Sequence, residues 1–289
     1  MPSLALMTLV SFIIFSRFFV NSQLLNFKLE ISFKIIKMVN KEELLKAAEV
    51  IKESENIVVF TGAGASTESG IADFRSEGGL WSRYDPAIHA NYQLFLKDPS
   101  NFWEMHRELE SVLKEAEPNP AHYAIAELEK MGKIKAIITQ NVDMLHQQAG
   151  SSSYEDIPVY ELHGSYGKLE CVRCGNEFEL DEVDTQSEEY PVCECSGFIK
   201  PKVILFGENL PSGILNKAIS AVRQSDCFLM VGSSLAVSPA NFLPGLAKEY
   251  DAKVIFINKD RTAMDEIADI FLRGKAGDIF IQLMKEIKH

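Results

Sequence analysis

The stretch NIVVFTGAGAST, residues 56–67, decides the predicted fold. Its apolar run is rich in β-branched residues and ends in glycines, which is typical of a strand buried on both faces of a parallel sheet. Gly62 and Gly64 favour a close approach of the backbone to a pyrophosphate at a helix N-terminus. A tight strand-to-helix turn explains the same residues, because Thr67 replaces the third glycine of the dinucleotide-binding fingerprint and no acidic residue ends a second strand about 20 residues on. This stretch alone leaves both interpretations open.

Comparable apolar runs recur along the chain, and each ends in glycine, asparagine or a polar turn. They are KAIITQN (135–141), VYELHG (159–164), VILFGE (203–208), CFLMVGSS (227–234) and KVIFINKD (253–260). Helical patterns lie between several of them, at 119–131, 211–223 and 239–249. This alternation predicts an α/β fold built on a doubly wound parallel sheet.

Two stretches interrupt the alternation, residues 75–118 and 165–202. The first is polar, aromatic and helical in pattern, and the second contains four cysteines separated by acidic residues. We expect the two stretches to form a smaller second domain. Polar residues also follow the ends of the predicted strands, where ligands bind in open α/β sheets, so we expect them to converge on one cleft. These residues are Gly62, Asn141, His163, Gly207, Ser233 and Asn258.

The composition limits the classes of partner. A chain of 289 residues that is 46% hydrophobic fits a soluble globular protein with a substantial core. The formal net charge of -12 argues against a general nucleic-acid binder, which carries a basic surface, and leaves a lysine-rich peptide partner open. Four of the five cysteines lie between Cys171 and Cys195. That clustering is typical of metal binding in a reducing compartment, so we expect a cytoplasmic location.

Residues 1–37 differ from the rest of the chain. MPSLALMTLVSFIIFSRFFV is apolar with a single charge, Arg17, and is interpreted either as an extension upstream of the true start or as an anchor. Met38 directly precedes VNKEELLKAAEVIKE, which has the signals of a helix N-terminus. We therefore prefer the start-site extension, and we expect no membrane partner unless residues 1–37 are genuine.

The cysteines form two pairs, Cys171-x2-Cys174 and Cys193-x-Cys195. Four thiolates in two pairs predict a tetrahedral structural zinc site with no open position for catalysis. The second pair has one intervening residue where two are usual, so its turn must be tighter. Reduced thiols without metal are the alternative. His163, at the end of a predicted strand, could instead accept a proton near pH 7 as a neutral imidazole.

A glycine-flanked loop, SGIADFRSEGGLW (69–81), contains Asp73, Phe74 and Arg75. We interpret it as a mobile lid over a ligand. The alternative is a surface ion pair beside a core phenylalanine.

Another polar cluster follows the strand that ends in KAIITQN. Gln140, Asn141 and Asp143 supply three hydrogen-bonding side chains there, whereas a helix cap explains only one of them. His146, a few residues later, is interpreted as structural or solvated.

No single motif determines the function, but their combination and order resemble the sirtuins, the NAD-dependent protein deacylases, and specifically a deacetylase of the prokaryotic type. The matching pieces are GAGAST with SGIADFR, TQNVDMLH, ELHGS, the two cysteine pairs, FGENLP, VGSSLAVSPA and INKD. They cover about 56–278. Ala65 and Ala72 stand where the family often has isoleucine and proline, and some members share the short gap in the second cysteine pair.

The resemblance implies a Rossmann-like large domain within residues 38–289. The smaller domain would consist of a helical module at about 75–118 and a zinc ribbon at about 165–202, with one structural zinc ion on Cys171, Cys174, Cys193 and Cys195. NAD would bind as a co-substrate in the cleft between the domains. By motif, its binding residues would be Gly62, Ala63, Gly64, Ser66, Thr67, Asp73, Phe74, Arg75, Trp81, Gln140, Asn141, Asp143, His163, Gly232, Ser233, Ser234, Asn258, Lys259, Asp260 and Ala276.

The resemblance also implies the reaction. The acyl-lysine carbonyl oxygen attacks the ribose carbon as nicotinamide leaves, and His163 accepts a proton from a ribose hydroxyl. Asn141 and Asp143 would complete the catalytic set by positioning the ribose and the nicotinamide amide. The peptide would add as a strand between FGENLP and SLAVSP. The expected substrate-binding residues are Ile204, Phe206, Gly207, Glu208 and Val237.

The expected function is therefore NAD-dependent deacetylation of acetyl-lysine-containing proteins. Members that prefer succinyl or malonyl groups carry a Tyr-x-x-Arg pair, and the corresponding stretch here is HREL, His106 to Leu109, which favours a neutral acyl group. The alternatives are a protein ADP-ribosyltransferase and a non-catalytic NAD-binding sensor. The full set of His163, Asn141 and Asp143 argues against the sensor, because binding alone needs no base.

Overall fold

Six parallel strands form the main sheet of the protein. The computed structural model describes residues 40–74, 78–152, 157–187 and 189–289. The predictions for residues 1–37 and for Arg75 concern positions outside the described residues.

The elements follow one another along the chain in an alternating order. The strands are β1 (Ile57–Thr61), β2 (Ile134–Thr139), β3 (Val159–Glu161), β4 (Gly164–Cys171), β5 (Glu177–Glu179), β6 (Ile199–Val203), β7 (Cys227–Val231), β8 (Lys253–Asn258) and β9 (Ile270–Arg273). The helices are α1 (Lys41–Glu53), α2 (Pro86–His89), α3 (Tyr92–Phe95), α4 (Ser100–Glu115), α5 (Pro120–Lys130), α6 (Leu145–Gln148), α7 (Ser212–Arg223), α8 (Leu243–Glu249) and α9 (Ala276–Lys288). Within the described ranges, no helix combines the length and apolarity needed to cross a membrane.

The strand order of the main sheet is β3-β2-β1-β7-β8-β9, and every neighbouring pair is parallel. This is the order of a doubly wound, dinucleotide-binding sheet, so the predicted fold class is confirmed. The order reverses between β1 and β7. The carboxyl ends of these two strands therefore flank a crevice, which is where such folds bind their ligands.

Helices cover both faces of this sheet, which explains the continuous apolar runs in its strands. All five residues of β1 and all five of β7 are buried. Phe228 and Phe256 pack with α7 and α8 on one face. Side chains alternate along a strand, so Leu229 and Ile255 point to the other face, where α5 packs against α9.

A second core lies beside the main sheet. It contains an antiparallel sheet in the order β5-β4-β6, which pairs Cys171 with Ile199. The aromatic side chains of Phe95, Phe102 and Trp103, from α3 and α4, pack in the same cluster as Cys171 and Ile199. The two stretches that interrupt the strand–helix alternation therefore share one core.

The prediction of a main-sheet strand at 203–208 is wrong. The strand in this region is β6, which ends at Val203 and pairs with β4 in the antiparallel sheet. Beyond it, Phe206 forms only an isolated bridge with Asn91 and is 44% exposed. An apolar run is not enough to place a strand in a buried sheet when its backbone partners lie elsewhere. The short edge strand β9 was not predicted from the sequence at all.

Candidate functional site

A cavity of about 1230 Å³ opens at the carboxyl ends of the main-sheet strands. Pockets for single small ligands are usually about 300–1,000 Å³, so this cavity has room for more than one bound group. Most of the predicted site residues line it. They are Ala63, Gly64, Thr67, Asp73, Phe74, Trp81, Gln140, Asn141, His163, Ile204, Phe206, Gly207, Glu208, Gly232, Ser233, Ser234, Val237, Asn258, Lys259, Asp260 and Ala276.

Three predicted residues lie outside this lining, namely Gly62, Ser66 and Asp143. Arg75 falls outside the described residues. Ser66 and Asp143 are buried and hydrogen-bonded to each other, with 2.6 Å between Ser66 Oγ and Asp143 Oδ2. They therefore act on the cavity only through the groups that they contact.

The glycines at the end of β1 pack directly against the backbone that follows β7. Gly62 N donates to Val231 O at 3.0 Å, and Gly64 N donates to Gly232 O at 2.7 Å. A Cβ atom on Gly64 would lie 2.7 Å from Gly232 O, which is closer than real Cβ contacts. These glycines are therefore required by the contact between the two turns, which forms the floor of the crevice.

The segment after β1 bears on the two interpretations that the sequence left open. Two 3₁₀ turns, Ala63–Ala65 and Thr67–Ser69, follow the strand in place of the N-terminus of an α-helix, which supports the tight turn. Gly70 then adopts a left-handed conformation (φ 87°), which ends the second turn. The turns still present backbone to the cavity at Ala63 and Gly64, but without the aligned dipole of a long helix.

His163 lies at the cavity wall with its tautomer determined by the backbone. Its Nδ1 lies 3.0 Å from Gln140 O. Because a carbonyl oxygen only accepts, Nδ1 carries the proton and Nε2 is left as a proton acceptor. Burial lowers the pKa of His163, and the hydrogen bond to Gln140 opposes that effect. The imidazole is therefore neutral near pH 7 and can act as a general base.

Asn141 is oriented by the residues behind it. Its Nδ2 donates to Gly62 O at 3.1 Å and to Ser66 Oγ at 3.0 Å. Ser66 uses its own proton for Asp143, whose other oxygen accepts from Leu145 N at 3.0 Å. Both amide protons of Asn141 are thus engaged, and its Oδ1 is the atom left for a ligand in the cavity.

A second hydrogen-bonded chain connects the ends of β2, β7 and β8. Ser233 Oγ donates to Gln140 Oε1 at 2.8 Å. Asn258 Nδ2 donates to Ser233 O and to Asp260 O, both at 3.0 Å. Three motifs that are far apart in the sequence therefore form one continuous edge of the cavity.

Two buried histidines lie beneath these networks. His122 Nδ1 accepts from Asn119 N at 3.2 Å in a capping box at the start of α5, and its Nε2 lies 3.5 Å from Ser66 Oγ. His146 Nε2 lies 3.0 Å from Thr61 Oγ1. Burial lowers the pKa of His122 to about 4 and that of His146 to about 3, so both are neutral at pH 7.

His146 is buried, so of its two proposed interpretations the structure supports the structural one. His122 was missed in the sequence. The signal that could have found it is the Asn-Pro-Ala-His start of α5, where a histidine at the third helical position faces back onto the cap.

Another part of the cavity, at α4, is lined mainly by apolar side chains. Phe102, Met105, Leu109 and Leu113 line it beside His106. Burial lowers the pKa of His106 to about 4, so this imidazole is neutral as well. Both ends of the HREL stretch thus line the cavity with uncharged groups. That observation favours a neutral acyl chain.

The four clustered cysteines form a separate site. Their sulfur atoms all lie within 4.8 Å of one another, with Cys171 3.5 Å from Cys195 and Cys174 3.8 Å from Cys193. A zinc ion with Zn–S bonds of about 2.3 Å in a tetrahedron needs sulfurs about 3.8 Å apart. The donor set and its spacing therefore fit zinc. None of the four is among the described residues that line the cavity.

Comparison with known proteins gives consistent matches. A profile described as the Sir2 family matches residues 62–239. The NAD-dependent protein deacylase 2 of Archaeoglobus fulgidus is 48% identical over 252 residues, which is 86% of this chain and 97% of that protein. The NAD-dependent protein deacetylase of Sulfurisphaera tokodaii is 44% identical over 247 residues, which is 84% of this chain and 95% of that protein.

Solved structures agree with these matches. One chain, from a study of the mechanism and regulation of Sir2 enzymes, has a TM-score of 0.79 at 48% identity and covers 86% of this chain and 98% of its own. A Sir2 variant with a deacetylated p53 peptide and 3'-O-acetyl ADP-ribose has a TM-score of 0.78 at 34% identity, covering 83% and 97%. Sir2Af2 bound to a myristoylated histone peptide has a TM-score of 0.71 at 42% identity, covering 86% and 97%.

Proposed function

The chain belongs to the Sir2 family, and on that premise we propose that it is an NAD-dependent protein-lysine deacetylase. It transfers the acetyl group of a lysine side chain to the ADP-ribose part of NAD and releases nicotinamide and the free lysine amine, with one water consumed. The observation that supports this most strongly is the state of His163. Its Nδ1 donates to Gln140 O, which leaves Nε2 as a neutral base at the wall of the cavity.

The chain's own groups suit NAD as the co-substrate. The backbone of Ala63 and Gly64, together with Ser233 and Ser234, lines the crevice where a pyrophosphate would bind. When bound, NAD supplies an electrophilic ribose carbon whose bond to nicotinamide breaks as the acyl oxygen attacks.

Three residues then have separate roles in the reaction. His163 Nε2 accepts the proton of a ribose hydroxyl, which makes that oxygen a nucleophile toward the acyl carbon. Asn141 Oδ1 orients the ribose or the nicotinamide amide by accepting a hydrogen bond. Asp143 acts through Ser66, which fixes the side chain of Asn141.

In this proposal the zinc ion stabilises the fold and takes no part in the reaction. Cys171, Cys174, Cys193 and Cys195 would supply all four ligands, so no coordination position remains for a substrate. Thiolates of this kind persist in a reducing compartment, which supports a cytoplasmic location.

We propose that the peptide lies beside the segment that follows β6. Ile204, Phe206 and Val237 line the cavity there, and the 44% exposure of Phe206 leaves apolar surface for the stem of a lysine. The acyl group would then reach toward α4. The net charge of -12 favours basic peptides over nucleic acid.

One assay tests the function. Purified protein is mixed with NAD and an acetyl-lysine peptide, and nicotinamide and peptide mass are followed. We expect peptide-dependent nicotinamide release with loss of the acetyl mass. ADP-ribose retained on protein instead would support the transferase, and NAD binding without turnover would support the sensor.

A matched set of peptides tests the acyl preference. We expect acetyl-lysine to be turned over faster than succinyl-lysine in the same sequence, because His106 and Leu109 offer no cation for a carboxylate. Faster turnover of the succinyl peptide would contradict this assignment.

A further inference from the structure

Lys200 is a buried lysine whose charge the reaction does not use. Only 1% of its side chain is exposed. Its Nζ lies 2.9 Å from Glu170 Oε1 and 2.8 Å from Val203 O, with Glu208 Oε1 and Pro201 O each at 3.4 Å. Lysines are almost never fully buried unless they are paired, and four oxygens around one ammonium meet that condition.

This ammonium lies between the cysteine-bearing sheet and the cavity. Lys200 is in β6 and pairs with Glu170 of β4, the residue next to Cys171. On its other side it contacts Glu208, which lines the cavity. The lysine thus connects the antiparallel sheet to the segment at 203–208.

Glu208 shapes that segment from within. Its Oε2 accepts from Leu205 N at 2.8 Å while its Oε1 faces Lys200. Its own backbone N donates to Leu205 O, and Gly207 between them is left-handed (φ 89°). One carboxylate therefore closes the turn and attaches it to the buried cation.

The same segment also contacts the backbone of the proposed base. Ile204 N donates to His163 O at 2.8 Å, and Gly164 pairs with Val203. Lys200 accordingly contacts both ends of the segment, at the carbonyl of Val203 and at the carboxylate of Glu208.

We propose that Lys200 is a positioning residue for peptide binding. Through Glu208 and the Val203 carbonyl it fixes the 203–208 segment in the shape that receives the acetyl-lysine peptide. A fixed segment loses less conformational entropy on binding, so the peptide binds more tightly to it. This inference rests on the proposed deacetylase function.

Lys200→Met tests the proposal, because it removes the charge and keeps the length of the side chain. We expect the KM for peptide to rise about tenfold, since Glu208 loses its buried partner and the turn is released. The KM for NAD should stay within about twofold, and the zinc content should stay at one per chain. A general loss of structure would instead change the peptide KM, the KM for NAD and the zinc content together.

Lys202→Met is the matched control. Lys202 is in the same strand but its side chain is 36% exposed and contacts Glu177 at 2.5 Å. An exposed pair contributes little, so its peptide KM should stay within about twofold of wild type. An equal rise in both lysine variants would overturn the proposal.

A double-mutant cycle shows whether Lys200 acts through Glu208. Glu208→Gln should raise the peptide KM, and adding Lys200→Met, which then removes the remaining contact to Val203 O, should raise it by clearly less than the tenfold expected in the wild-type background. If the peptide KM of the double variant rises by the product of the two single increases, Lys200 does not act through Glu208. If Lys200→Met does not fold, Lys200→Gln carries the same expectation for peptide KM.

The outcomes distinguish the proposed role of Lys200 from the proposed deacetylase function on which it rests. Wild-type protein that releases no nicotinamide with peptide overturns the deacetylase function, and the role of Lys200 with it. Active wild-type protein with an unchanged peptide KM in the Lys200 variant overturns only the role of Lys200.

Discussion

The two ends of β4 lie in different chemical environments. At one end, His163 precedes the strand and presents a neutral imidazole to the cavity. At the other end, Cys171 belongs to a cluster of four sulfurs outside the cavity lining. The chain passes from β3, at the edge of the parallel sheet, into β4, which belongs to the antiparallel sheet. His163 and Cys171, which are eight residues apart in the sequence, therefore belong to different parts of the fold.

Replacing the base should have the largest effect. His163→Ala removes the proton acceptor, so we expect turnover to fall about a thousandfold. Zinc content should not change, because the histidine is not a member of the four-cysteine cluster. Steady-state nicotinamide release and elemental analysis check the two expectations.

His89→Ala is a suitable control, since His89 is partly exposed, lies outside the cavity lining, and contacts Asp85 O and the ring of Tyr84. Loss of zinc in the His163 variant would mean that the two ends of β4 are not independent.

Replacing a cysteine of the cluster should lower the stability of the fold. Cys174→Ser takes one ligand from the cluster, and loss of a bound metal is among the most destabilising changes. We expect the free energy of unfolding to fall by about 3 kcal/mol and Tm to fall by about 10 °C. Thermal unfolding with zinc analysis measures this.

Cys227→Ala is the comparison, because Cys227 is buried in β7 outside the cluster. It should retain zinc. A Cys174 variant with full zinc content and unchanged Tm would contradict a structural metal at this site.

A smaller effect is expected from the network behind Asn141. Ser66→Ala removes the acceptor of Asn141 Nδ2 and the donor to Asp143. Asn141 then loses one of its two fixed contacts, so turnover should fall about tenfold. Kinetics at saturating peptide measure it, with Ser225→Ala as control, because Ser225 is a buried serine outside the cavity lining whose Oγ donates to Val222 O. Equal effects in the two variants would count against the network.

The smallest expected effect is on the pH dependence of folding stability. The pKa of His146 is lowered to about 3 by burial, below its unfolded value of about 6.5. Below pH 6.5 the unfolded chain binds a proton that the folded chain does not, so stability falls as pH falls from 6.5 toward 3. At pH 5.5 the loss from this group is about 1 kcal/mol, or about 3 °C.

His146→Gln isolates this contribution. The drop in Tm between pH 7.5 and pH 5.5 should be about 3 °C smaller in the variant than in wild type. An identical drop would show that the buried imidazole is protonated in the folded protein.

Much of the fold could be predicted because its signals are local. Strands β1, β2, β7 and β8 were recognised from apolar runs, and helix α5 from its helical pattern at 119–131. The run at 203–208 was misplaced because the same apolar pattern suits several sheets. Its place depends on pairing between Gly164 and Val203, which no local pattern encodes.

The candidate site likewise contains some residues that could be predicted from the sequence and others that could not. Glycines, polar residues at strand ends and cysteine pairs pointed to many residues that line the cavity and to the metal cluster. Two residues behind them, His122 and Lys200, were missed. Ser66 meets His122 across 56 positions, and Lys200 meets Glu170 across 30. Contacts over such separations depend on how the elements pack and not on spacing along the chain.

The sequence by itself determined the kinds of groups present: a parallel sheet, a strand-end histidine and four paired cysteines. Those follow from backbone preference, burial and ligand chemistry, which act within a few residues. Only the tertiary structure decided what each group does. It gave His163 its tautomer through Gln140 O, separated that base from the thiolates by the length of β4, and buried Lys200 against Glu208. The reason is that hydrogen-bond partners, burial and electrostatic environment arise only when distant parts of the chain come into contact.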